Sequence, residues 1–294
     1  MPFVASPWTF DDVIKITKIS PAYWRATFNS PPLNVFTPRT YSALRQLMEL
    51  LENDKDVKVI VFDSAAPDYF ISHFDLAIGP EAWLVDEPGT EVIVDWANFV
   101  LRMARLPVVS IAEVRGRVRG HGSEFVLACD IRFASRERAI FAQPEVGVGV
   151  TCGGGGIEWL PRLTNRSRAL EILLGSDDFD ATTAELYGYV NRAFPDDKLD
   201  AFVDRFARRV AGFDRQPLME TKRSVNDRAG LPSDADFLAS MQIFVRSCTW
   251  PRTQARVKAM MDGGLQTNGD IERNLGHHLH QTSLMLGREE AAKK

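Results

Sequence analysis

The sequence predicts an α/β protein with a parallel sheet, followed by an all-helical C-terminal region. Through the first two-thirds of the 294-residue chain, short β-branched and apolar segments alternate with segments of helical periodicity. Beyond about residue 212 every periodic segment is helical, and proline or glycine separates each from the next. We therefore predict a β/α core at residues 1–212. We expect the helical region at residues 213–294 to pack on that core or on a partner subunit.

The elements of the core alternate in order along the chain. The segment WRATFNS predicts a strand, and TPRTYSALRQLMELLEND predicts a helix with Thr37 as N-cap and Pro38 at its first position. The largely apolar segments VKVIVFDS and PVVSIAEV predict buried strands, with a helix around VDWANFVLRMARL between them. A helix at FVLACD then leads to the strand IRFAS. This succession favours a parallel sheet.

Composition and charge predict a soluble protein of a reducing, intracellular compartment. The net charge of −4 argues against a nucleic-acid partner or an anionic membrane. Cys129, Cys152 and Cys248 are too few and too widely spaced for a disulfide framework or a CxxC site. The N-terminal MPFVASPWTFDD lacks the features of a secretory signal, and no uncharged apolar run approaches the ~18 residues of a membrane helix. We expect a cytoplasmic protein.

Three separated segments could form one site. In PDYFISHFDL a buried strand ends and a helix is predicted to begin near Asp75. In RGHGSEFVLACD, Gly120 and Gly122 frame a turn into a helix that carries Glu124 in its first turn. In IFAQPEVGVGVTCGGGG, Glu145 follows a proline on a predicted loop.

These segments together suggest acid/base chemistry beside an anion site. Backbone N–H groups at the two helix starts, those of Phe74 and His121, could hold the developing oxyanion of a thioester carbonyl. Glu124 and Glu145 would supply two carboxyl groups. With one protonated and the other ionised, they could deliver a proton and activate a water.

The same segments resemble the enoyl-CoA hydratase/isomerase (crotonase) superfamily. YFISHFDL matches the family's F-S-A-G-A-D-L, and VRGRVRGHGSEFVLACD matches V-N-G-x-x-x-G-G-G-x-E-x-x-x-x-C-D. FAQPEVGVG matches F-x-x-P-E-x-x-x-G, and CGGGGIEWLPR matches P-G-x-G-G-x-x-x-L-P-R. The resemblance implies a crotonase-type spiral β/α core, and it makes the helical C-terminal region a trimerisation region of a homotrimer or a dimer of trimers.

The resemblance also implies an activity and its residues. It points to hydration of a 2-enoyl-CoA by a lyase of fatty acid metabolism, with no metal or redox cofactor and with CoA only as part of the substrate. Oxyanion donors fall on the amides of Phe74 and His121. Glu124 and Glu145 share the catalytic water, and Glu145 protonates the α-carbon. The pocket residues carried over are His73, Gly120, Gly122 and Gly153.

The chain departs from the family pattern in ways that keep alternatives open. His73, Phe74 and His121 stand where the family has glycine, alanine and glycine, so each histidine is either an acid/base group or a wall of the pocket. No lysine or arginine lies between Lys58 and Arg102, where family members carry a residue for the CoA phosphates. The following arginines either substitute for it or form ion pairs: Arg115, Arg117 and Arg119.

Three other functions therefore stay open. The chain could be a hydrolase that cleaves a carbon–carbon bond of a non-CoA β-dicarbonyl compound, an enoyl-CoA isomerase, or a catalytically silent assembly protein. The paired glutamates favour the hydratase over the isomerase and the assembly protein. The cluster of His277, His278 and His280 is interpreted as a solvated or interface helix face and not as a metal site.

Overall fold

Two β-sheets lie at the centre of the molecule in this computed structural model, which describes residues 13–77 and 92–292. The strands are β1 (Ile14–Ser20), β2 (Tyr23–Phe28), β3 (Val59–Ser64), β4 (Tyr69–Ile71), β5 (Val109–Val114), β6 (Arg117–Arg119), β7 (Ile131–Ser135), β8 (Ile140–Ala142), β9 (Phe179–Asp180) and β10 (Arg192–Phe194). The larger sheet has the order β1-β2-β3-β5-β7-β10, and the smaller has the order β4-β6-β8-β9. Strand pairing is parallel as predicted, except for the antiparallel pairs β1–β2 and β8–β9.

Thirteen helices occur within the described residues. They are α1 (Pro38–Asn53), α2 (Val92–Arg105), α3 (His121–Ala128), α4 (Glu145–Val148), α5 (Gly156–Thr164), α6 (Arg166–Gly175), α7 (Ala181–Tyr187), α8 (Asp196–Ala211), α9 (Arg215–Ala229), α10 (Asp234–Cys248), α11 (Pro251–Asp262), α12 (Asp270–Arg273) and α13 (Leu275–Ala292). From residue 215 onward all regular structure is helical. The division of the chain at residue 212 stays a prediction. Within the described ranges, no helix combines the length and hydropathy needed to cross a bilayer.

The larger sheet carries helices on both faces, as the apolar strands predict. Strand β3 alternates its side chains: Ile60 and Phe62 join the main core, while Val59 and Val61 join a second core against α8. Helix α1 begins as predicted, since the Thr37 side chain accepts a hydrogen bond from the Thr40 N–H. Its apolar side chains complete the main core, namely Tyr41, Leu44, Leu47, Met48 and Leu51.

The smaller sheet brings the three candidate segments together. Strands β4, β6 and β8 are adjacent and parallel, so their carboxyl ends lie at one edge of the sheet. Beyond that edge β4 continues to Phe74, β6 enters α3, and β8 enters α4. A single short sheet therefore positions residues that lie far apart in the sequence.

One local prediction was wrong, and another stays a prediction. Residues 75–77 are not helical, and the helix expected near Asp75 falls on residues 78–91, which lie outside the described part. Glu145 was expected on a loop, but it is the first residue of α4. Its backbone carbonyl accepts hydrogen bonds from the N–H groups of Gly149 and Val150, which closes this short helix.

Candidate active site

A cavity of about 860 Å³, part of it open to solvent, lies at the shared edge of β4, β6 and β8. Seven of the predicted site residues line it, namely His73, Phe74, Gly120, His121, Glu124, Glu145 and Gly153. Its remaining wall is mostly aromatic and aliphatic. The C-terminal helical region supplies part of that wall through Met241, Phe244, Leu265 and Leu275. The cavity is therefore enclosed jointly by the core and the C-terminal helices.

Glu124 is fixed in this cavity by backbone donors. Its Oε1 accepts hydrogen bonds from the N–H groups of Gly154, at 2.9 Å, and Gly156, at 3.1 Å. A Cβ on Gly154 would lie 2.1 Å from Glu124 Oε2, so only glycine lets the loop approach this closely. The other oxygen, Oε2, lies 3.3 Å from His121 Nδ1. The glycine run after Cys152 thus orients a carboxylate.

Glu145 faces Glu124 across the cavity. Burial, together with the nearby Glu124 charge, raises the pKa of Glu145 to about 8. The Cys152 thiol donates a hydrogen bond to Glu145 Oε2 at 3.1 Å. One polar atom from each of Glu124, Glu145 and Cys152 lies within 4.8 Å of the others. At neutral pH this arrangement holds a protonated carboxyl beside an oriented partner, which suits paired acid/base chemistry.

Phe74 and His121, whose amides are the predicted oxyanion donors, both line the cavity. Phe36 donates from its N–H to the His73 carbonyl at 2.8 Å, and its own carbonyl accepts from the Asp75 N–H at 3.0 Å. In a parallel bridge this pattern turns the N–H of the middle residue, Phe74, away from Phe36 and toward the side of β6 and α3. His121 begins α3, and first-turn N–H groups have no partner within their own helix.

Comparisons with known proteins agree with this geometry. The family model described as enoyl-CoA hydratase/isomerase matches residues 21–253. The chain belongs to this family. It is 31% identical over 231 residues to a Mycobacterium tuberculosis protein named a probable enoyl-CoA hydratase, covering 75% of this chain and 78% of the relative. It is 29% identical over 201 residues to a Dictyostelium discoideum protein named a probable mitochondrial enoyl-CoA hydratase, covering 68% and 70%.

Solved structures show the same fold. The crystal structure of a Streptomyces avermitilis protein, described as a candidate enoyl-CoA hydratase, superposes with a TM-score of 0.85 at 42% identity. The match covers 92% of this chain and 96% of that one. The family resemblance and the crotonase-type fold predicted from the sequence are therefore confirmed.

The two histidines that replace family glycines occupy different environments. The His121 ring lies against Trp96 and Phe36, with centroids 3.9 and 4.4 Å away, and forms part of the cavity wall beside Glu124. His73 also borders the cavity, but its ring bonds to Glu272 and to the Phe74 carbonyl. His121 is thus placed beside the reacting groups, whereas His73 is held in a buried network.

The predicted pocket glycines differ in position. Gly120 has a φ of 48°, and a Cβ there would lie 3.0 Å from Glu145 Oε1. Gly153 packs against Phe244, where a Cβ would lie 2.5 Å from the Phe244 Cβ. Gly122 does not line the cavity, because it packs on β4, where a Cβ would lie 2.5 Å from the Ile71 carbonyl oxygen. Its pocket role stays a prediction, and in the structure it permits α3 to approach β4.

The arginines offered as CoA-binding candidates form internal contacts. Arg115 pairs with Glu113 at 2.7 Å and Asp196 at 2.9 Å. Arg119 is fully buried and bonds to Asp178 through two nitrogens, at 2.7 and 2.6 Å. The Arg117 Nε donates to the Arg273 carbonyl. Arg115 and Arg119 thus pair with acids from other segments of the fold.

Two groups could be considered as metal ligands. Glu124, Glu145 and Cys152 lie close enough together, but the two backbone N–H bonds already engage Glu124 Oε1, and burial raises the pKa of the Cys152 thiol well above its ordinary value. The C-terminal histidines lie on α13, where His278 pairs with Asp270 and the other two are exposed. Sequence reasoning missed Cys152, because a single cysteine beside a glycine run carries no motif.

Proposed function

We propose that this cavity adds water across the double bond of a 2-enoyl-CoA thioester and catalyses the reverse dehydration. The observation that carries the proposal is the pair of dissimilar carboxyl groups. Glu145 has a pKa of about 8, and Glu124 is oriented by two backbone N–H groups within reach of it. The names of the relatives support the same substrate class.

The reaction proceeds without a metal or redox cofactor. The N–H groups of Phe74 and His121 donate to the thioester oxygen and stabilise the enolate that forms on it. Glu124 accepts a proton from water as the hydroxide adds to the β-carbon, and the Glu145 carboxyl donates its proton to the α-carbon. One water is consumed, Glu124 ends protonated, and Glu145 ends ionised. A proton passing between the two carboxyls restores the starting state.

The raised pKa of Glu145 sets the direction of pH dependence. Hydration needs Glu145 protonated, so we expect kcat/KM to fall as pH rises above about 8. Mostly apolar walls keep bulk water away from the enolate and strengthen its hydrogen bonds. Phe74 and His121 narrow the space beside the thioester relative to the alanine and glycine of the family pattern.

The test is the loss of enoyl-thioester absorbance with short, medium, long and aromatic 2-enoyl-CoA substrates. We expect Glu124→Gln and Glu145→Gln each to lower kcat by about 10³-fold, because each removes one proton-transfer step. Glu171→Gln, an exposed carboxylate on α6, is the matched control and should keep wild-type activity. Full activity in either active-site variant would contradict the proposal.

The internal ion pairs of Arg115 and Arg119 favour one second candidate. These arginines are engaged within the fold, so they do not serve the CoA phosphates. A hydrolase that cleaves a carbon–carbon bond in a β-dicarbonyl compound would need no such contact. Calorimetric titration with CoA separates the two, because the hydratase requires CoA binding and the hydrolase predicts none.

A further inference from the structure

Residues 266–273, hereafter the clamp segment, contact the strand that carries Phe74. The His73 ring, one residue earlier, lies between two acceptors: Nδ1 is 2.7 Å from the Phe74 carbonyl oxygen, and Nε2 is 3.1 Å from Glu272 Oε2. Because both ring nitrogens face acceptors, this arrangement favours the charged imidazole, in which both nitrogens donate. Burial is the largest influence and opposes that charge, but the charge and hydrogen bond of Glu272, together with the Phe74 carbonyl, overcome it and raise the pKa of His73 above its ordinary value.

The clamp segment holds the next two residues of the same strand as well. Gln266 Nε2 donates to Asp75 Oδ1 at 2.8 Å, and Gln266 Oε1 accepts from the Leu76 N–H at 2.5 Å. The Gln266 N–H in turn donates to Glu272 Oε2 at 3.0 Å. Two hydrogen bonds besides that of His73 thus join the residues that follow Phe74 to this one segment, and the third braces Gln266 on Glu272.

The same segment holds the strand that leads into His121. Arg119 ends β6 two residues earlier, and it donates from Nη1 to the Glu272 carbonyl at 2.6 Å and from Nη2 to the Arg273 carbonyl at 3.1 Å. Asp178 binds the other side of the guanidinium through both carboxylate oxygens. One four-residue helix, α12, is therefore bonded to both halves of the proposed oxyanion hole.

These contacts are buried and charged. The side chains of Arg119 and Glu272 are 0% exposed, and that of His73 is 7% exposed. Well-packed apolar side chains often stabilise a fold as well as a buried ion pair does. Charge-assisted hydrogen bonds, in contrast, fix distances and orientation. These charged contacts lie beside the Phe74 and His121 amides, which suggests that they fix the positions of those two groups.

We infer that His73, Arg119 and Glu272 are positioning residues that set the spacing and direction of the Phe74 and His121 N–H groups. The C-terminal region thereby takes part in catalysis, through α12, without touching substrate. This inference rests on the proposed function. It predicts that loss of Glu272 weakens polarisation of the bound thioester carbonyl more than it weakens substrate binding, because the acyl and CoA contacts remain.

The experiment compares Glu272→Gln with Asp270→Asn, a control on the same short helix whose exposed carboxylate pairs with His278. The probe is p-dimethylaminocinnamoyl-CoA, whose absorbance moves to the red when its thioester oxygen accepts hydrogen bonds. We expect Glu272→Gln to keep KM within about threefold, to lower kcat by about tenfold or more, and to lose at least half of the red shift. The control should match wild type in all three.

Two results would overturn the inference. One is an undiminished red shift in Glu272→Gln, because a merely structural role would lower activity without changing polarisation. The other is a wild type that binds the probe with no red shift. If Glu272→Gln does not fold, His73→Gln takes its place, since it removes the donor to the Phe74 carbonyl. A wild type that shifts the probe but hydrates no thioester contradicts the proposed function alone, and the variants still decide the positioning role.

Discussion

Two carboxyl groups on opposite sides of the larger sheet have opposite surroundings. Glu113 Oε2 lies 2.6 Å from the Arg25 guanidinium, and Glu113 Oε1 lies 2.7 Å from that of Arg115. Glu145 faces an open cavity with another carboxyl, Glu124, and a neutral thiol, Cys152, as neighbours. Burial raises the pKa of both groups, to about 7 for Glu113 and to about 8 for Glu145. What separates them is the partner and the access, since Glu113 is held by two guanidinium groups inside the fold and Glu145 borders the cavity.

The largest expected effect on stability lies at the structural carboxylate. Glu113→Gln removes the carboxylate shared by two half-buried guanidinium groups, which keep other acidic partners, so we expect the free energy of unfolding to fall by about 2 kcal/mol. The kcat of the folded molecules should not change. Urea unfolding measures the first and the hydration assay the second. Asp204→Asn, which breaks an exposed pair with Arg208, should cost much less. An equal loss of unfolding free energy in Glu113→Gln and Asp204→Asn would contradict a structural role for Glu113.

A variant of the active-site carboxyl tests how stability depends on pH. Folded Glu145 keeps its proton up to about pH 8, whereas the unfolded group releases it near the ordinary value of 4.5. Rising pH therefore favours the unfolded wild type across this window. Glu145→Gln removes this effect. The free energy of unfolding of the variant, relative to that of wild type, should therefore rise by about 1 kcal/mol between about pH 5 and 8 and stay constant above that pH. This magnitude includes an allowance for screening by solvent. A difference that is constant with pH would contradict the account.

The smallest effect concerns the thiol beside Glu145. Cys152 donates a hydrogen bond to Oε2 that lowers the pKa of Glu145 against the larger effect of burial. We expect Cys152→Ala to move the alkaline limb of the pH–rate profile to higher pH and to lower kcat by about threefold. Cys152→Ser, which keeps a donor, should restore most of both. Cys248→Ser, outside the cavity lining, is the control. If the alkaline limb of the pH–rate profile does not move in Cys152→Ala, the thiol does not influence the pKa of Glu145.

The sequence was sufficient to predict the helices and strands whose hydrophobic pattern extends over many residues. The capped helix α1 and the apolar strands β3 and β5 were predicted from local signals, because burial imposes a period on many successive residues. The strands that assemble the site, β4, β6 and β8, have three residues each, which is too short for an alternation to be recognised. The family motifs compensated for this, since they marked the residues at the ends of those strands.

Other site features have no local signal. Glu272 reaches His73 from the far end of the chain, and no spacing rule connects them. The role of the glycine run followed only from its distance to Glu124, since glycines are equally suited to a turn or a phosphate loop. Arg115 and Arg119 were left open between ligand binding and ion pairing, and only the fold shows which acids they meet. Long-range contacts decided each of these.

The central claim is that Glu145 carries a proton at neutral pH while its partner across the cavity is the base. The most direct test is a carboxyl-carbon NMR titration of protein labelled at glutamate, comparing wild type, Glu145→Gln and Glu124→Gln. The account predicts one resonance that titrates near pH 8, is missing in Glu145→Gln and titrates at lower pH in Glu124→Gln, where a neighbouring charge has been removed. A Glu145 resonance that titrates near the ordinary value of 4.5 in the wild type would contradict it.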